Sequence, residues 1–296
     1  MSASPSWTRS QRSSSSAFNC SKSRLSKFGG NWNLDAVTEE FGPDGAAALD
    51  FYLAPHSDDV CFSIGQLAHS RGAGMLCTVF TVTAYQAGRR QLVADDIRAT
   101  TRIRIAEDAS FAQRCGLVPQ WLSFPDAFAR GQPPFDAAPA GEVARQIAEV
   151  VMRAILAPTI GRVTHPRPWL FCPAGIGGHV DHLAVTTVVM DNIDRLSPLY
   201  RIAFYEDLHY ASKADVRASG VTRLKELAGD RSLARRVIAL ADEAAQLSKM
   251  ELVRLYPSQL TARIDSIEAY SPAVAPPAMP HEAVWVLQDD MHHLPG

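Results

Sequence analysis

The chain has 296 residues, 47% of them hydrophobic and 20% charged, and its formal net charge is −2. That composition describes a globular protein with enough apolar content for a substantial core, and it offers no basic surplus for nucleic acid or an anionic membrane surface. No apolar run approaches the roughly 18–20 residues of a transmembrane helix, and five scattered cysteines without a CxxC spacing predict free, buried thiols in a reducing, cytoplasmic setting.

Residues 1–32 are rich in Ser and carry Arg9, Arg12, Lys22, Arg24 and Lys27 with no acidic residue. Such a stretch buries too little apolar surface to offset its ordering entropy, so a disordered tail is expected; an organelle transit peptide has the same composition. Residues 33–296 are expected to form one catalytic α/β domain.

Within that domain, "ALDFYLAP" (48–55) reads as a buried strand and "VCFSIGQLAHSRG" (60–72) as a helix closed by Gly72. "MLCTVFTVTA" (75–84) is a second strand, and "DDIRATTRIRIAEDASFAQRCG" (95–116) a long helix ending at Gly116. "QWLSFP" (120–125) predicts a third strand, and a Pro/Gly-rich loop then leads to a helix over 142–157. "WLFCP" (169–173) is a fourth strand, 181–193 a helix, and "YRIAFYED" (200–207) a fifth strand. Alternating strands and helices with short connections predict a doubly wound, mostly parallel sheet, Rossmann-like, with helices on both faces. Ligands of such folds bind beyond the carboxyl ends of the strands. No GxGxxG follows the first strand, so a dinucleotide site has no support.

Two strand ends carry unusual chemistry. The first runs into "PHSDD" (55–59) and the fourth into "GIGGHVDH" (175–182). Zinc favours imidazole nitrogen and carboxylate oxygen, and a catalytic site keeps a fourth position open for water. His56, Asp59 and His182 would supply two imidazoles and a carboxylate, leaving Asp58 and His179 beside the metal to move protons. An Asp pair before a helix is also an ordinary N-terminal charge, and a lone His-x-x-His carries little information; the two together at one sheet edge carry far more. His69, His165 and His281 lack such partners and are expected at the surface or in loops, and His292 and His293 in the terminus.

On these two motifs the sequence resembles the LmbE/PIG-L family of zinc-dependent N-acetylglucosaminyl deacetylases, in the branch whose first motif reads PH-x-DD. "RIAED" (104–108), "FPDA" (124–127), "FYEDLHY" (204–210) and "LYPSQL" (255–260) extend the likeness across roughly residues 48–265. The resemblance implies one zinc ion per chain, or another divalent metal, bound by His56, Asp59 and His182. It makes Asp58 the general base and His179 the group facing the oxyanion or protonating the leaving amine. Asp181 would orient His179, and Arg104 and Asp126 would contact sugar hydroxyls or a nearby anionic group. Arg104 could equally form a solvated ion pair with Glu107 or Asp108, and Asp126 could serve only a turn. Tyr205, Glu206 and Asp207 are expected at the rim without a chemical role. Ser57 replaces the usual Pro, Val60 the usual Glu, and His209 stands where the branch often has Pro.

The activity so implied is hydrolysis of an N-acyl group, N-acetyl first, on an amino sugar, glycoconjugate or natural product, with a small molecule as partner. Alternatives are an amidase of the same family acting on a non-sugar or thiol-conjugate substrate, a metal-containing sugar-binding protein without turnover, and an Fe(II) oxygenase using a two-His, one-carboxylate triad.

Overall fold

The structure is a computed structural model that describes residues 49–87, 96–160, 166–240, 242–261, 266–273 and 279–288. The expected tail over 1–32, His165, His292 and His293 lie outside the described residues.

Seven strands form one sheet in the order β3-β2-β1-β4-β5-β7-β6. The strands are β1 (Asp50–Ala54), β2 (Gly74–Thr78), β3 (Leu117–Trp121), β4 (Trp169–Pro173), β5 (Arg201–Tyr205), β6 (Leu233–Ala239) and β7 (His281–Leu287). The first five are parallel; β7 runs antiparallel to both β5 and β6. The main helices are α1 (Asp59–Arg71), α2 (Asp96–Cys115), α3 (Ala140–Leu156), α4 (Val180–Asp191), α5 (Ala214–Ala228) and α6 (Glu243–Val253).

The central strands are buried along their whole length, and alternate residues feed two cores. Phe51, Leu53, Leu170 and Cys172 face α3 and α4, while Tyr52, Ala54, Phe171 and Ala203 face α1, α2 and α6. The doubly wound reading therefore holds, with an antiparallel extension at one side. The extended segment expected over 75–84 pairs as a strand only to Thr78. The third strand, expected over 120–125, lies instead over Leu117–Trp121, and beyond it Pro125 makes a single parallel bridge to Val82. The four described cysteines, Cys61, Cys77, Cys115 and Cys172, are buried and unpaired. His281, expected near the surface, is buried in β7, where its Nε2 faces Arg235 at 2.9 Å.

The chain leaves β1 toward β2 on one side and later returns to β4 on the other. The carboxyl ends of β1 and β4 thus form the crevice that doubly wound sheets use for ligands. His56 to Asp59 follow β1, and His179 to His182 open α4 after β4.

Helix α1, which begins with Asp59, is broken at Ile64 (φ −136°, ψ 30°). A break leaves helical carbonyls and amides without their usual partners. Here the Lys249 ammonium accepts that role on one side, donating to the carbonyls of Cys61 (3.0 Å) and Phe62 (2.9 Å). Glu282 takes the N–H groups of Gln66 (2.9 Å) and Leu67 (2.8 Å) on the other. Lys249 and Glu282 are themselves paired at 2.5 Å, both fully buried. The pair replaces the missing turn and ties α1 to α6 and β7.

Glu282→Ala should therefore lower stability by about 3–5 kcal/mol, because it strands a buried ammonium. An apolar double variant, Lys249→Met with Glu282→Leu, should recover only part of that loss, since four backbone groups of α1 remain unpaired. Denaturant unfolding of both variants checks this; a double variant as stable as the parent would contradict it.

Candidate metal and catalytic site

The ring of His56 points between two carboxylates. Its Nε2 donates to Asp181 Oδ2 at 3.0 Å, which turns Nδ1 toward Asp59 Oδ2 (3.3 Å) and His182 Nε2 (3.3 Å). The other Asp59 oxygen lies 3.3 Å from His182 Nε2. On the far side of its ring, His182 Nδ1 donates to Asp207 Oδ1 at 2.7 Å. Two imidazole nitrogens and one carboxylate thus meet with separations of 3.3 Å. That is about the edge of a tetrahedron whose bonds are roughly 2.0–2.1 Å, the length zinc makes to nitrogen and oxygen. His179 brings a ring nitrogen within 4.8 Å of those of His56 and His182. The closer Asp59 oxygens make the tighter set with the two imidazoles.

Charge points the same way. Asp59, Asp181 and Asp207 are buried, and Asp58 is nearly so. Arg130 pairs with Asp181 (Nη2 to Oδ1, 2.6 Å) and Arg104 with Asp58 Oδ1. An excess of negative charge remains at the ends of β1, β4 and β5, reduced at Asp207 because burial raises its pKa, and a divalent cation would neutralise it. Without one, protons fill the gap. Burial disfavours a charged His56, but its hydrogen bonds to Asp181 and Asp59 prevail and raise its pKa to about 10. His182 is likewise raised, burial being outweighed by Asp59 and Asp207. Asp59 and Asp181 are held below the usual carboxylate range: burial opposes this, and the facing histidines overcome it. The donor set and its charge therefore fit a divalent metal.

His179 has a different setting. Its Nδ1 accepts the Asp181 backbone N–H at 3.2 Å, so Nε2 carries the proton. Burial, with His56 and His182 alongside, pushes its pKa down to about 2. It is a neutral donor. The loop before it depends on glycine: at Gly177 (φ 96°) a Cβ would sit 2.6 Å from the Tyr210 ring.

The structure redistributes several expected partners. Asp181 reaches His56, Arg130 and the Ala127 N–H (2.9 Å), and its carboxylate is 3.9 Å from His179. Residues two apart at a helix start do not face one another, which is why it orients His56 instead. Arg104 is 3% exposed and bonds Asp58 across the cleft, so the solvated pair with its own helix is absent. Glu107 serves Ser258, and Asp108 serves Thr78, Trp121 and Tyr256. Asp126 accepts from Thr83 Oγ1 and from the Ala129 N–H (2.7 Å) while lining the cleft, so its turn role is real. Asp207, expected only at the rim, is the carboxylate behind His182; its place at the end of β5, next to β4, was the available signal. Tyr205 and Glu206 do have structural partners, in Leu53 and Arg235. Arg130 had no sequence signal beyond its loop. The cleft over these groups is walled by Tyr85, Phe128, Phe135, His209, Tyr210 and Gln259.

Comparison with known proteins gives a family, a relative and a fold. Residues 51–193 match the family described as PIG-L, GlcNAc-PI de-N-acetylase. A 2'-N-acetylparomamine deacetylase of Streptomyces fradiae is 34% identical over 171 residues, covering 55% of this chain and 58% of that protein. The match thus spans less than two thirds of the relative's length. Among solved structures, an antimicrobial pseudoaglycone deacetylase superposes with a TM-score of 0.54 at 20% identity, covering 81% of this chain and 97% of its own. The zinc-inhibited form of a teicoplanin deacetylase gives 0.58 at 19%, covering 80% and 96%. At these identities the two structures speak to the fold. No helix among the described residues is long and apolar enough to cross a membrane.

Asp207→Asn should weaken divalent-metal binding by about tenfold to a hundredfold with the fold retained, because the charge behind His182 is lost. Competitive titration against a chromophoric chelator measures this; unchanged affinity would remove Asp207 from the metal's support.

Proposed function

From the match of residues 51–193 to the PIG-L family we propose that the protein is a zinc-dependent hydrolase removing an N-acyl group, N-acetyl first, from an amino sugar of a glycoconjugate or natural product. The observation that carries this reading is the cluster at the β1–β4 crevice: two imidazoles and a carboxylate converge at 3.3 Å, with Asp58 beside them and not among them. The relatives named for paromamine and teicoplanin deacetylation support an amino-sugar natural product as the substrate class.

His56, Asp59 and His182 would hold the zinc, which when bound lowers the pKa of a water toward about 7 and polarises an acyl carbonyl. Asp58 is the general base. Arg104 fixes its Oδ1, and its second oxygen has no hydrogen-bond partner among the described residues, so that oxygen can take the proton of the attacking water and return it to the leaving amine. His179 presents Nε2–H to the oxygen that gains charge as the acyl carbon becomes tetrahedral, and needs no reorganisation to do so. Asp181 holds the His56 tautomer, and Arg130 holds Asp181. Arg104 and Asp126 line the cleft where sugar hydroxyls would lie.

Acetate and free-amine release should be measured on a panel of N-acetylated amino sugars, aminoglycosides and glycopeptides, with the protein loaded with zinc and, separately, with other divalent metals. No release from any member by metal-bound protein would reject the reading. Asp59→Asn should lower metal content and rate together. Asp58→Asn should keep the metal while kcat falls about a hundredfold to ten-thousandfold. If Asp58→Asn loses the metal and Asp59→Asn keeps it, the two roles are reversed.

A further inference from the structure

The loop between β3 and α3 holds out a large apolar ring. Phe135 is 60% exposed, and it is not loosely held. Pro133 and Pro134 fix the backbone before it. The Pro134 carbonyl accepts the Val180 N–H at 2.7 Å, and the Pro133 carbonyl accepts the Asp136 N–H at 3.2 Å. The loop is thereby fastened to the first turn of α4, one residue beyond His179. The Phe135 ring meets His179 edge to face at 5.6 Å and Tyr210 at 6.0 Å. The His179 ring in turn lies 4.8 Å from His56 and 5.2 Å from His182. Phe135 therefore stands one ring beyond the place where an acyl carbonyl would meet His179. The same cleft is lined by Tyr85, 36% exposed and stacked on Phe128 at 4.9 Å and 16°.

A rigid, solvent-facing aromatic ring at the mouth of a polar cleft gains when a ligand covers it, and the faces of pyranose and aromatic rings are flat and largely C–H or π surface. We propose that Phe135, backed by Tyr210, is a stacking subsite for a second ring of the substrate, one joined through the glycosidic bond to the N-acylated amino sugar. The preferred substrates are then ring-bearing glycosides, the ring being a second sugar or an aromatic aglycone, rather than single sugars. This rests on the deacetylase reading and names its substrate class more narrowly. Phe135 acts on affinity for the ring; the acyl-transfer groups are elsewhere.

The test compares three N-acetylglucosaminides with the same anomeric linkage: methyl, phenyl, and the disaccharide N,N′-diacetylchitobiose. In the parent protein kcat/KM should be at least about tenfold higher for one or both ring-bearing compounds than for the methyl glycoside. Phe135→Ala should bring that ratio within about threefold, chiefly through KM, and Phe135→Trp should preserve it. Which ring-bearing compound gains separates an aromatic aglycone from a second sugar. Calorimetric binding of methyl and phenyl glucosaminide, the amine products, gives the same ratio without turnover. A ring preference in binding that Phe135→Ala abolishes would uphold the subsite even if no acetate were released, and only the deacetylase reading would fall. Deacetylation of all three at equal efficiency, or a preference that survives Phe135→Ala, would overturn the subsite and leave that reading standing. Neither binding nor turnover of any compound would reject both. Because Phe135 is exposed, both variants should melt within a few degrees of the parent.

Discussion

Four carboxylates crowd the carboxyl ends of three adjacent parallel strands, and among the described residues two arginines pair with them. Asp58, Asp59, Asp181 and Asp207 cannot all stay ionised in a buried crevice on the strength of Arg104 and Arg130 alone. The imbalance calls for further positive charge. The facing carboxylates raise the pKa of both His56 and His182 against the effect of burial, so protons are drawn to these rings when no cation is present, and a divalent metal would supply the charge while freeing both rings as ligands. The geometry of the site follows from that constraint: each imidazole has a carboxylate behind it and shares Asp59 in front, so both rings are aimed at one point.

The scaffold is arranged to keep that aim. The crevice exists because the chain reverses direction of winding between β1 and β4, a feature of topology rather than of any local motif. The Lys249–Glu282 pair holds together the broken α1 whose first turn contains Asp59. Ser63 of that helix accepts the Leu208 N–H at 3.1 Å, joining it to the segment that follows Asp207. The loop carrying Asp126 and Arg130 is fastened to Asp181 through the Ala127 N–H, so that loop and the His56 ring share one carboxylate.

Much of this was legible in the sequence, and the limits have physical causes. The buried runs of β1 and β4 and the glycine stops of α1 and α2 mark their elements by local rules, and "PHSDD" with "GGHVDH" marks the crevice by its chemistry. Partners contributed from distant segments were not legible. Arg130 and Asp207 act through side-chain contacts 51 and 25 residues away, and the Arg104–Asp58 pair spans 46. Asp181 was assigned to its sequence neighbour His179, although the helix turns its carboxylate toward His56. In β6, "LARRVIA" hides a strand behind two arginines, and β7 pairs against the parallel direction that the alternation of elements suggests.

The central claim is that one divalent metal sits between two imidazoles and a carboxylate with room for water. X-ray absorption at the zinc edge of the metal-loaded protein tests it most directly. The account predicts about four light scatterers at roughly 2.0–2.1 Å, with the outer-shell signature of two imidazoles and no sulfur. A sulfur shell near 2.3 Å, or a shell of oxygens lacking any imidazole contribution, would contradict it.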